Sequence, residues 1–178
     1  MSTDKMVADV TKVVDELVKS GQPVGLPVLG KLGQQIANSF AVKGDEVAMM
    51  ALVFEGKFLK FVVPEKLQNI GTIPVTSTTA LAARTARDKR PEVINNFAIS
   101  KHSTVFEAVP LTDQRGDPIQ KIMSAPVLAD NKVIGVIQVS RKGKTQAAAG
   151  ADFTPKDLGD LVAVSAQIGR CLKLCPVS

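Results

Sequence analysis

The sequence holds one histidine, His102, beside Ser103, and two cysteines, Cys171 and Cys175, close to the C-terminus. These residue types supply most nucleophilic, acid–base and metal chemistry, so their scarcity narrows the readings. Neighbours in sequence rarely turn their side chains toward each other, and His102 with Ser103 is therefore no triad by itself. His102 reads as an exposed loop residue or as a donor to a ligand in a pocket. Zinc usually takes three or four protein ligands, which two thiolates and one imidazole spread over the chain do not readily provide. Cys171 and Cys175, four apart on a helix, read as small buried hydrophobes at a helix interface. They cannot staple distant segments, which fits a reducing, cytoplasmic setting. No Gly-rich phosphate loop of the P-loop or dinucleotide type is present. Redox or hydrolytic catalysis is not expected.

A second constellation could hold an anion. Thr76, Ser77 and Thr78 bring hydroxyls to the start of a helix, where free backbone N–H groups and the helix dipole favour negative charge. Arg84 and Arg87 follow on that helix. Ordinary N-capping also accounts for the hydroxyls. The formal net charge is +5, and its placement bears on the same question. Residues 1–80 carry eight basic and eight acidic side chains, residues 151–178 three of each, and residues 81–150 eleven against six. A local excess of this kind marks an anionic partner or a solvated basic face. Nucleic acid fits poorly, because single-strand binders stack bases on aromatic rings and the chain has no Trp, no Tyr and seven Phe. A membrane span is not expected, since no run of some 18 apolar residues occurs, and the N-terminus does not read as a signal peptide.

The elements that would position these residues follow from hydrophobic period. Asp4 to Lys19 is an amphipathic helix carrying Met6, Val10, Val13, Val14 and Leu17, stopped by Gly21 and Pro23. Such a helix exposes its apolar face unless it docks, so a homodimer through the terminal helices is expected. A second helix spans about Pro27 to Phe40. Val47 to Phe54 and Phe58 to Val63 are strands covered on both faces, joined by a tight turn at Glu55-Gly56-Lys57. Pro64 to Ile70 reads as one helical turn, Ser77 to Lys89 as a helix, Val93-Ile94 as a short strand, and Ser103 or Thr104 to Val109 as a brief helix. Ile119 to Ala129 and Val133 to Arg141 form a hairpin turning at Asp130-Asn131. Counted from a two-residue loop, Pro126 faces Gly135 and Ser124 faces Ile137. Lys142 to Gly150 reads as a flexible loop. The closing helix starts at Thr154 (N-cap), Pro155 and Asp157, a capping box, with Phe153 and Leu158 as a staple. The order indicates an α+β three-layer domain. Residues 1–22 form an N-terminal helical element and 23–178 the domain.

With these pieces in order, the chain resembles the GAF domain family. Ile119 to Lys142, with Val-Ile-Gly-Val-Ile-Gln-Val in its second half, is similar to the family's last strand pair. Ala151-Asp152-Phe153-Thr154 to Leu161 is similar to the entry of the closing helix, and Ser77 to Pro91 with Val93-Ile94-Asn95 to the mid-domain helix and strand. The resemblance covers about residues 25–173. It implies a central antiparallel sheet of about six strands, terminal helices on one face, and short helices and loops over a pocket on the other. It also implies a sensory or regulatory domain that binds a small molecule, or alternatively a dimerisation module without a ligand; the basic excess and the hydroxyls before Arg84 point to a small anionic metabolite. The fold does not select the ligand, so the cofactor stays open. The family includes a methionine-sulfoxide reductase with pocket cysteines, and this chain lacks them there. The Asn-Lys-x-Phe-Asp-Glu element of cyclic-nucleotide binders is absent.

Ligand-binding candidates are Ser77, Thr78, Arg84, Asn95, Asn96, His102, Lys121, Ser124 and Gln138. The hairpin register above sets Lys121 and Gln138 on one sheet face and Ser124 on the other.

Overall fold

A computed structural model describes residues 3–97 and 117–177. The expected helix from Ser103 or Thr104 to Val109 lies outside them. The chain opens with α1 (Thr3–Ser20) and α2 (Leu26–Ser39), then β1 (Val47–Val53) and β2 (Phe58–Val63). A 3-10 turn at Glu65–Leu67 leads to β3 (Thr72–Pro74), α3 (Leu81–Asp88) and β4 (Glu92–Ile94). After the hairpin β5 (Ile119–Ala129) and β6 (Lys132–Lys142) come α4 (Gln146–Ala149) and α5 (Pro155–Leu172). All strand pairs are antiparallel, in the order β3-β2-β1-β6-β5-β4.

The apolar runs of β1 and β2 need cover on both faces, and both are covered. On one face α2 and α5 pack against Val47, Met49, Met123, Ala125 and Ile137, and α1 packs in turn on α5 and α2. On the other, α3 brings Ala82 over Met50, Leu59, Phe61 and Val136. A smaller cluster of Leu81, Phe97 and Ile122 continues that second layer.

The N-terminal helix finds its partner within the chain. Met6, Val10 and Val14 are completely buried, and α1 lies along α5. Burying each such side chain contributes roughly 1.5–3 kcal/mol. Thr3 and Arg170 add hydrogen bonds across the pair, to Asp160 (2.5 Å) and Asp15 (2.7 Å).

Two glycines set how closely α5 approaches the sheet. A Cβ on Gly169 would stand 2.0 Å from the Leu128 carbonyl oxygen, and one on Gly135 would stand 2.2 Å from that of Met50 and 2.9 Å from the Leu172 side chain. The bare step in β6 is therefore filled by the closing helix. That helix begins as its sequence predicts. Thr154 Oγ1 accepts from Asp157 N, and Asp157 returns the bond to Thr154 N, a reciprocal cap of which the Thr hydroxyl alone contributes about 1 kcal/mol.

The hairpin turns at Asp130 and Asn131, both with positive φ, as a two-residue turn of this hand requires. Its register departs from the simple count. Ala129 pairs with Lys132 and Leu128 with Val133, but Val127 pairs with Gly135, leaving Ile134 as the extra residue of a β-bulge. Pro126 consequently faces Val136, and Ser124 faces Gln138. A one-residue slip moves side chains to the opposite face, so the expected separation of Ser124 from Gln138 is corrected. Two smaller differences concern loops. The stretch read as a flexible loop contains α4, whose start is capped by Thr145 Oγ1 accepting from Ala148 N. The helix expected from Ser77 starts at Leu81, after an N-cap, Ala80, that has no side chain able to cap.

Candidate functional site

The bulge brings polar residues into one row across the sheet. Cross-strand partners share a face, and the pairings Glu92–Ser124, Ser124–Gln138 and Gln138–Ala48 run from β4 through β5 and β6 to β1. Above this row lies α3, contributing Arg84 and Thr85. Apolar clusters flank the row, so its polar members sit at low dielectric, where an unmet hydrogen bond is expensive.

Within the row the hydrogen bonds have a direction. Thr85 Oγ1 donates to the Leu81 carbonyl at 3.0 Å, one helical turn back. The Ser124 hydroxyl lies 2.7 Å from Thr85 Oγ1 and, with the Thr85 proton committed, donates to it. Gln138 Nε2 donates in turn to Ser124 Oγ at 3.1 Å. Thr85 and Ser124 are completely buried and Gln138 is 2% exposed. The chain thus starts at an amide and ends at a helix carbonyl. Among the described residues, the Gln138 amide oxygen accepts nothing and its second N–H has no acceptor. A buried polar atom left in that condition costs about 1–3 kcal/mol, and native proteins rarely retain one without a partner from outside the chain.

Arg84 closes the β4 end of the row. Its Nε and Nη2 donate to the two carboxylate oxygens of Glu92 at 2.9 and 2.8 Å, a two-pronged pair. Arg87 donates to the carbonyls of Val75 and Ser77 (2.6 Å to the latter), tying the segment before α3 to its last turn.

The remaining candidates scatter. Ser77 Oγ accepts from Ala80 N at 3.1 Å, shaping the approach to α3, while Thr78 is exposed. Asn95 exchanges two hydrogen bonds with the backbone of Phe153, through Nδ2 at 3.0 Å and Oδ1 at 2.9 Å, and so ties the end of β4 to the entry of α5. Asn96 is exposed. Lys121 lies on the terminal-helix face, where its ammonium meets the Gly150 carbonyl and Asp152 (2.8 Å). His102 lies outside the described residues. Of the nine candidates, Arg84, Ser124 and Gln138 come together. Thr85 and Glu92 complete the group and were not anticipated.

Cys171 and Cys175 are free thiols buried on the opposite side of the sheet, in the terminal-helix core. Burial raises the pKa of both; Arg170 partly offsets this at Cys171 while Cys175 adds to it. Among the described residues, no group of three or more His, Cys, Asp or Glu is placed to hold a metal ion. None of the described helices is long and apolar enough to cross a membrane.

Comparison with known proteins identifies the fold. The sequence profile of the GAF domain family matches residues 28–172. No curated protein sequence matches the chain. Among solved structures, the GAF domain of a phosphoenolpyruvate-protein phosphotransferase from Coxiella burnetii superposes with a TM-score of 0.68 at 8% identity, covering 97% of this chain and 94% of that one. The GAF domain of the Acinetobacter phosphoenolpyruvate-protein phosphotransferase gives 0.66 at 14% identity, over 95% and 91%. The free methionine-R-sulfoxide reductase of Neisseria meningitidis, solved with its substrate, gives 0.66 at 12% identity, over 97% and 89%. At these identities the likeness is one of fold.

Proposed function

The chain belongs to the GAF domain family, and from that premise we propose that it is a non-catalytic regulatory domain that binds a small molecule on the α3 side of its sheet. The observation that carries this reading is the unmet amide of Gln138 at the head of a buried hydrogen-bond chain. Its carbonyl accepts and its second N–H donates, side by side. A ligand that offers the reverse pair, such as an amide, a urea or the edge of a nucleobase, satisfies both. With Arg84 bound to Glu92, the row supports an uncharged polar ligand at this position rather than the anion expected at Ser77 and Arg84.

Two further observations support the non-catalytic reading. Both thiols of the chain lie across the sheet from the row, buried in the terminal-helix core. The groups in the row are hydroxyls, an amide and a paired carboxylate, none arranged as a nucleophile with a base. We also propose that the domain works as a homodimer through α1 and α5. The inner face of α1 is covered by α5, but Val13, Val18 and Val162 on these two helices are 38%, 38% and 41% exposed. They are three of the five large exposed apolar side chains among the described residues.

Native mass spectrometry of the protein as purified tests the ligand. The expected result is a small non-covalent adduct that is released on denaturation and depleted in Gln138→Leu. A wild-type spectrum showing only the bare chain, with no adduct gained from a panel of amides, ureas and nucleobases, would instead support a dimerisation module with a filled interior.

A further inference from the structure

We propose that the cleft where β1 begins and β6 ends is a second, separate binding site, which takes a small organic phosphate or carboxylate. It has a volume of about 550 Å³, within the ordinary range of ligand sites. Its charged lining consists of four cations, Lys43, Arg141, Lys142 and Lys144, against two carboxylates, Glu46 and Asp117.

Neither carboxylate forms an ion pair with these cations among the described residues. Glu46 is 8% exposed and its oxygens are already held, Oε1 by the Lys43 amide and Oε2 by the Lys142 amide, each at 2.7 Å. Its role is to fasten the loop after α2 to the end of β6. Neighbouring Asp45 is engaged by Lys66 at 3.1 Å. The Lys142 side chain is half-buried and makes no ion pair among the described residues. Burial depresses its pKa; Asp45 and Glu46 pull it back only in part, and Lys66 and Lys43 add smaller pushes in the direction of burial. Arg141 spends its guanidinium on the carbonyls of Ala151 and Phe40 and on the ring of Phe153, 4.3 Å away. These contacts orient the group and leave its charge uncancelled.

A half-buried ammonium that makes no direct ion pair, and whose charge burial disfavours, gains when an anion arrives. The lining also includes Val42, Ala148 and Ala149, apolar surface for the carbon skeleton of an organic anion whose charged end meets the lysines. Three of the four cations, Arg141, Lys142 and Lys144, come from the stretch that holds the whole basic excess of the chain. Part of that excess is thus gathered here, where Lys43 from the loop after α2 joins it.

Calorimetric titration at constant ionic strength tests the site, with inorganic phosphate, glycerol 3-phosphate and succinate as probes. Saturable binding of at least one organic anion is expected, and glycerol 3-phosphate against succinate distinguishes a phosphate from a carboxylate ligand. Lys142→Met and Lys144→Met should each weaken it about tenfold or more, whereas Lys132→Met, which removes the same charge from the exposed hairpin tip, should not. Gln138→Leu should leave it unchanged, so this outcome stands apart from that of the Gln138 ligand. Absence of saturable heat with all three probes would overturn the proposal. An equal loss in Lys132→Met and Lys142→Met would do the same, showing that only the general positive field is felt.

Discussion

Gly169→Ala should destabilise the domain by about 3 kcal/mol or more, and Gly159→Ala, on the same helix, should stabilise it. Intrinsic propensity favours Ala over Gly inside a helix by about 0.8–1 kcal/mol, so both changes would help an isolated α5. The tertiary setting separates them. Nothing lies within 4 Å of a Cβ at Gly159, but at Gly169 the new carbon would stand 2.0 Å from the Leu128 carbonyl oxygen. Backbone occupies both sides of that contact, and no rotamer change can relieve it. The helix must move outward, loosening Val164, Ile168, Cys171 and Leu172 from the core they share with β5. Overpacking of this kind costs about 1–3 kcal/mol and occasionally more, and the backbone clash places Gly169 at the upper end. For a chain of this size the melting temperature should fall by about 6–12 °C. Melting temperatures that move together in the two variants would mean that α5 does not sit this close to the sheet.

Ser124→Ala should cost about 1–3 kcal/mol, far more than the loss of one small hydroxyl from a solvated surface. It removes the acceptor of the Gln138 amide and the group that donates to Thr85, and both lie where water has little access. The cost belongs to the orphaned amide, which yields a second expectation. In the double variant Ser124→Ala/Gln138→Leu the orphan is gone, and removing both partners of a buried pair is close to neutral. The double variant should therefore be more stable than the sum of the two single changes predicts, by roughly 0.5–3 kcal/mol. Denaturant unfolding of the four proteins measures that coupling. Strict additivity would show that the hydrogen bonds of the row are not made.

Much of the fold could be read from residue order alone, for a physical reason in each case. The closing helix announces itself because Thr154, Pro155 and Asp157 satisfy backbone groups locally, independent of what the helix packs against. The hairpin is equally plain, since Asp130-Asn131 tolerates the positive φ that the turn demands. What escaped was set by distant contacts. In Val-Ile-Gly-Val-Ile-Gln-Val every position but one or two is apolar, so alternation carries no mark of an extra residue, and the bulge at Ile134 reverses the face of everything beyond it. That single slip hid the pairing of Ser124 with Gln138. β3 is a three-residue edge strand ending in Pro74, too short to show a period. Glu92 carries no mark in the sequence, and only the folding of β4 and α3 brings it to Arg84.

Thr85 did leave a signal. Leu81, Ala82, Thr85 and Ala86 share one stripe of α3, so a hydroxyl at that position had to be buried and had to find a partner. It bonds back to the carbonyl four residues earlier, as a buried helical threonine does. A buried hydroxyl on an otherwise small and apolar stripe was the available pointer to the polar row beneath. The basic excess was legible as a total but not as a place, because Glu46 draws the loop after α2 to the end of β6 from 96 residues away.

The oxygen and second N–H of the Gln138 amide meet no partner among the described residues, and we propose that a bound molecule meets them. A crystal structure of the purified protein at a resolution that distinguishes water from an organic molecule tests this most directly. Non-protein density larger than a water is expected on the α3 side of the sheet, with one atom donating to Gln138 Oε1 and another accepting from Nε2. A protein side chain bonded to that amide, or a single isolated water in its place, would contradict it.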